Sequence, residues 1–125
     1  MDITPRLSVD ALVIRNYGPA GFTIAETLYA GAVLVTADGV TELPGLANLD
    51  ALDVTAVLPL LTAAKSELLL TGSGNQMQFI PEALKAALRA QGISSEAMDT
   101  GAACRTYNVL FTEGRHVAAL LLPVA

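Results

Sequence analysis

Apolar positions follow two different regimes along the chain. In the first third they come in short runs broken by turn-forming residues. Ala11–Ile14 is the first such run, and Asn16-Tyr17-Gly18-Pro19-Ala20-Gly21 follows with turn chemistry: glycines for positive φ and a proline for a fixed bend. Phe22–Ile24 reads as a second short strand. Ala32–Val35 is the clearest strand of this half, and Asp38-Gly39 then predicts a tight hairpin with Val40–Leu43 returning antiparallel. Short strands joined by tight turns predict a meander or small sheet.

Beyond residue 50 the period changes. Asp50 or Asp53 can cap a helix over Val54–Ala64, which Pro59 should kink or split. Glu67–Thr71 reads as a buried strand. Pro81–Gln91 predicts a helix with Ile80, Leu84, Ala87 and Leu88 on one face and Gly92 as its stop. Ile93–Met98 predicts a strand, Thr100–Glu113 a helix ended by Gly114, and His116–Leu122 a long apolar strand. Strand, helix, strand, helix, strand over residues 67–122 is the pattern of an α/β layer with a largely parallel core, and runs such as Leu68–Leu70 and Ala118–Leu122 suit burial on both faces. The predicted fold class is α/β: a three-layer sandwich with a central, mostly parallel mixed sheet, its helices, and a small N-terminal antiparallel β layer.

Composition narrows the function classes. The chain has 125 residues, 53% hydrophobic and 15% charged. This predicts one domain, 1–125 with its core at about 11–124, able to bury roughly two-thirds of its unfolded surface. Net charge is −5, without any Lys/Arg cluster, and Trp is absent. Nucleic-acid or anionic-lipid binding is therefore disfavoured. A chain this apolar is expected to expose a patch for a protein partner or for weak self-association. One cysteine excludes an internal disulfide and a cysteine-based zinc cluster. MDITPRLSVD lacks the apolar centre of a signal peptide, and the longest apolar runs fall short of the ~20 residues of a membrane helix. These features predict a soluble, cytoplasmic protein.

The candidate chemistry concentrates in residues 98–108, MDTGAACRTYN. Asp99 or Thr100 caps the predicted helix. At about 100° per residue, Ala103, Tyr107, Leu110 and Phe111 form its apolar face, with Cys104 at the edge of that face. Arg105 and the helix start would lower the thiol pKa, but Cys104 lies a turn inside, where the dipole fades. The lone histidine, His116, opens the next strand roughly 18 Å away at 1.5 Å per residue. A Cys–His pair is thus disfavoured by geometry, and Cys104 is expected to be structural rather than catalytic.

Thr71-Gly72-Ser73-Gly74 follows a strand but fails the dinucleotide fingerprint, since Met77 stands where the third glycine belongs. A tight exit turn is the favoured reading. If strands 67–71 and 93–98 are parallel neighbours, this loop and the one at Asp99 leave the same carboxyl edge, where open α/β sheets bind ligands. Gly72, Ser73, Gly74, Asn75, Asp99, Thr100, Gly101 and Arg105 would then line a small pocket. It holds no nucleophile–base pair, so no catalytic residue is assigned, and the ligand spacing for a metal or cofactor is missing. His116 is expected to be a strand-end residue, and Tyr17 and Tyr29 core-edge packing beside glycine turns.

The run MDTGAACRTYNVLFTEGRHVAALLLPV resembles the C-terminal signature of a small-domain family. NYGPAGFTI, YAGAVLVTADGV, ELLLTGSGNQMQFIP and GISSEAMDT extend the likeness from about residue 11 to 124. That family includes archaeal and bacterial proteins of unknown function and the third mitochondrial assembly factor of respiratory complex I. The resemblance implies a compact three-layer α/β fold with extra β structure on one side, and no established catalysis, cofactor or metal. The mitochondrial member assists assembly of a membrane respiratory complex by binding other proteins. The expected function is therefore a non-enzymatic binding or assembly protein. The alternative is a small-molecule or anion-binding protein, or a weak enzyme, using the pocket between the two loops.

Overall fold

The computed structural model describes residues 12–125. Three short strands, β1 (Ile14–Gly18), β2 (Gly21–Ile24) and β3 (Thr27–Tyr29), form an antiparallel sheet in that order. The remaining strands and α-helices are β4 (Ala32–Thr36), β5 (Gly39–Leu43), α1 (Val54–Ala63), β6 (Leu68–Ser73), α2 (Glu82–Ala90), β7 (Ser94–Met98), α3 (Thr100–Thr112) and β8 (Val117–Leu122), with a single 3-10 turn at Leu49–Ala51. Their strands build a mixed sheet ordered β5-β4-β8-β6-β7, in which β8, β6 and β7 run parallel while β4 is antiparallel to both β8 and β5.

The strict alternation of buried side chains along the inner strands sets the layers. Val117, Ala119 and Leu121 of β8 face one core with Val33, Val35 and Leu70; Ala118, Leu120 and Leu122 face the other with Ala32, Leu34 and Leu69. The first core is closed by α3 (Ala103, Cys104, Tyr107) and by Ile14, Phe22 and Ile24 of the small sheet. The second is closed by Val57 and Leu61 of α1 and Leu84 and Leu88 of α2. The three predicted layers are present, with the small β sheet sharing a layer with α3.

Several elements differ from their predicted form. Ala11 lies outside the described residues, and the first strand runs Ile14–Gly18, so Asn16, Tyr17 and Gly18 are strand; the turn is only Pro19-Ala20, with Gly18 paired to Gly21. β3 was unpredicted, being three exposed or half-buried residues without an apolar run. The Asp38-Gly39 hairpin forms but belongs to the central sheet, because Ala32–Val35 is apolar on both faces and needs cover on both. α1, capped by Asp53, runs through Pro59 as one helix. Pro59 and Thr55 are both exposed, so the Thr55 carbonyl that loses its donor faces water. β6 continues two residues past Thr71, and the turn begins at Gly74, with φ +94. Gly72 and Ser73 are thus buried strand residues rather than an exit turn.

Candidate functional site

The carboxyl ends of β6, β7 and β8 are tied together by one side chain. Thr100, the first residue of α3 and fully buried, donates its hydroxyl to the Leu122 carbonyl (2.6 Å) and accepts the Gly74 N–H (2.8 Å). Its own N–H donates to the Gly74 carbonyl (2.9 Å). Gly72 lets this happen. A β-carbon there would stand 2.9 Å from the Thr100 α-carbon and 3.0 Å from the side chains of Ala103 and Leu121. Helix and strand approach closely only because both contribute small residues. The Ser73 hydroxyl accepts the Gln78 N–H at 2.8 Å and reaches the Gln76 and Met98 carbonyls at 2.8 and 3.2 Å, which shapes the loop after β6.

The predicted juxtaposition of the two loops holds, since β6 and β7 are parallel neighbours. Of the eight predicted residues, Gly74, Asn75, Asp99, Gly101 and Arg105 line an open depression of about 380 Å³, joined by Tyr17 and Val124. Gly72, Ser73 and Thr100 lie behind it with their polar groups already engaged. The depression is a poor anion cradle. Asp99 puts its carboxylate on the Ala102 N–H (2.8 Å), and the Thr100 and Ala103 N–H groups go to the carbonyls of Gly74 and Asp99. The positive end of α3 is therefore occupied by the chain's own acid. Asn75 Oδ1 accepts the Ala125 N–H. Arg105 is exposed at the rim beside Tyr17 and Gly101.

Cys104 is 2% exposed and packed in the first core, and burial pushes its thiol up to about 12 despite Arg105. A neutral, inaccessible thiol is no nucleophile at ordinary pH. Tyr107 stacks on Phe111 (5.6 Å between ring centres), its phenol pushed up by burial and its hydroxyl without a partner among the described residues. Asn108 pairs with the backbone of β1: the Ile14 N–H donates to its Oδ1 at 2.9 Å and its Nδ2 donates to the Ile14 carbonyl at 2.8 Å. It stands in for a neighbouring strand and fastens the small sheet to α3. His116 is exposed, with Nδ1 3.9 Å from Glu67 Oε2. Among the described residues no group of three or more His, Cys, Asp or Glu is placed to hold a metal.

Reactive residue types in the sequence do not mark the open edge of the sheet. Among the described residues β7 pairs with β6 alone; Phe79 of the loop after β6 borders it and is 87% exposed, and Met77 of the same loop is 49% exposed. The signal was the run Asn75-Gln76-Met77-Gln78-Phe79, two large apolar residues spaced by glutamines where a loop needs none.

The family model described as "Protein of unknown function (DUF498/DUF598)" matches residues 14–122. The chain belongs to this family. Within DUF498 it is similar to an uncharacterised protein of Rhodobacter capsulatus, 39% identical over 114 residues, covering 91% of this chain and 86% of that protein. It is also similar to NADH dehydrogenase (ubiquinone) 1 alpha subcomplex assembly factor 3 of Mus musculus, 29% identical over 113 residues, which are 90% of this chain but only 61% of that protein. Among solved structures, a Bartonella henselae protein described as an outer membrane protein superposes with a TM-score of 0.80 at 34% identity, covering 90% of this chain and 94% of that one. In the present chain no helix among the described residues is long and apolar enough to cross a membrane.

Proposed function

We propose that this DUF498 protein is a non-enzymatic, cytoplasmic protein-binding factor that assists assembly of a multi-subunit complex, with a respiratory membrane complex as the leading candidate. The observation that carries this reading is the likeness to the assembly factor along 90% of the chain. The site supports it from the other side. The polar groups that resemble catalytic machinery hold the fold: Asp99 caps, Thr100 clamps, Asn108 fastens and Cys104 is buried and neutral. Reaction chemistry needs a reactive group within reach of substrate paired with a base or acid, and the ionisable groups of the open depression are Arg105, the Tyr17 phenol and a carboxylate already committed to the helix cap. A ligand-binding reading of that depression has no observation in its favour beyond its location at the carboxyl edge.

The test is affinity capture of the tagged chain from its native cell, with cross-linking and quantification of stoichiometry. A partner recovered at near-equal amount, enriched over a tag-only control, is the expected result. Recovery of the chain alone under cross-linking conditions overturns the assembly reading.

A further inference from the structure

We propose that the open edge of β7, walled by Phe79, is a strand-addition site for an extended segment of a partner protein with the side-chain pattern apolar–basic–apolar. This rests on the protein-binding reading above and names its surface. In the parallel ladder the Ser94 N–H donates to the Glu67 carbonyl. Backbone groups alternate along such a strand, so Ser94, Glu96 and Met98 bond inward to β6 while Ser95 and Ala97 point their N–H and C=O outward. Among the described residues no strand takes up those groups. An edge of this kind is a template for a further strand unless it is guarded.

The surroundings specify the occupant. Side chains alternate as well: Met98 packs against the α3-side core and Ile93 against the α2-side core. Glu96 thus shares its face with Met98, and Ser95 and Ala97 share theirs with Ile93. On the α2 side the edge opens into a groove of about 340 Å³ bordered by the strand residues Ser95, Glu96 and Ala97 and by Phe79, Ile80, Glu82 and Lys85. Phe79 is 87% exposed, a ring with nothing packed on it beside a row of free backbone donors and acceptors. An incoming antiparallel strand would exchange hydrogen bonds at Ser95 and Ala97. Its residues opposite those two place their side chains against Phe79 and Ile80, and the residue between them lies opposite Glu96 at the close, non-hydrogen-bonded spacing. That calls for apolar, basic, apolar.

A second copy of the chain is a poor occupant in this register. Two-fold pairing of β7 with itself through Ser95 and Ala97 centres on Glu96, setting two carboxylates face to face at the closest spacing in the ladder. A net charge of −5 on each copy adds to the mismatch and favours a basic partner segment.

The test titrates isotope-labelled protein with a β-hairpin peptide whose outer strand reads Thr-Val-Lys-Val-Thr, followed by NMR. Shift changes centred on the Ser95 and Ala97 amides and the Phe79 ring are expected, with exchange of those two amides slowed about tenfold. Replacing the peptide's Lys by Glu should weaken binding about tenfold or more, and Glu96→Lys should reverse that preference. Ala97→Pro removes one outward N–H and no bond to β6, so it should fold and lose the peptide; should it fail to fold, Phe79→Ser and Glu96→Lys carry the test alone. Shifts located elsewhere, equal affinity for the Lys and Glu peptides, binding that survives Ala97→Pro or Phe79→Ser, or a dimer already protecting Ser95 and Ala97 before peptide is added would each overturn the proposal. The titration needs no cellular partner, so its failure leaves the protein-binding reading intact, and a failed capture leaves the measured edge affinity standing.

Discussion

Asp99–Asn108 and Asn75–Ile80 both follow strands of the parallel half of the sheet, and they treat their distinctive residues in opposite ways. In the first stretch Asp99 caps its own helix, Thr100 and Asn108 make hydrogen bonds that hold elements together, and Cys104 and Tyr107 are buried. In the second, Met77 and Phe79 stand out into solvent, Phe79 beside the edge of β7 that no described strand pairs with. The stretch dense in reactive residue types is scaffold, and the stretch without them is exposed surface. A cluster of Asp, Thr, Cys, Arg and Tyr records how tightly a helix must seat on a sheet as readily as it records chemistry. An apolar side chain with no packing partner is the better pointer to an interface.

Substitutions can separate the two regions, and the largest effect belongs to the clamp. Thr100→Val keeps the shape but leaves the buried Gly74 N–H and Leu122 carbonyl without their partner. It should cost about 2–4 kcal/mol in a urea or thermal melt, one unsatisfied group at each end. Next come the two glycines. Gly72→Ala drives a β-carbon into the Thr100 backbone and should cost about 1–3 kcal/mol by overpacking. In Gly101→Ala the nearest obstacle is the end of the Tyr17 side chain, which can swing aside, and helix propensity improves; stability should stay within about 1 kcal/mol of the unsubstituted chain. Equal losses at both positions would break the distinction between a packed face and an open one.

Smaller still, Asn108→Ala removes both bonds to Ile14 and should cost about 1–2 kcal/mol, with faster hydrogen exchange confined to β1–β3. The thiol provides a pH test. Its folded value near 12 lies above its ordinary value of 9.0, so the native state holds the proton more tightly than the unfolded chain. The stability this gives is fully present below pH 9 and declines as pH rises toward 12, and Tyr107, also shifted up, adds in the same direction. Cys104→Ala should flatten that decline, and iodoacetamide at pH 8 should label the native thiol about a hundredfold or more slower than the unfolded one.

The alternation of layers was legible because apolar runs buried on both faces have few homes other than the middle of a sheet: Leu68–Leu70 and Ala118–Leu122 read correctly for that reason. The caps at Asp53 and Asp99 were legible because a short acid before an apolar helix has a local partner. β3 was not, since its pairing with β2 is tertiary and its residues carry no period. The extension of β6 through Gly72 was hidden because glycine reads as a breaker in sequence, whereas here it answers a demand for close approach from α3, residues away in the chain. The meeting of the two loops followed from the parallel order, but whether their polar atoms were free did not. Thr100 finds its partners at Gly74 and Leu122, more than twenty residues away in the chain, which no local pattern announces.

The central claim is that the working surface lies at Phe79 and β7 rather than at the rim of the depression. The direct measurement is quantitative partner capture with Phe79→Ser and Arg105→Ala side by side, each at confirmed wild-type melting temperature. The account predicts that Arg105→Ala retains the partner and that Phe79→Ser loses most of it. Loss of the partner on Arg105→Ala, with full retention on Phe79→Ser, would contradict it.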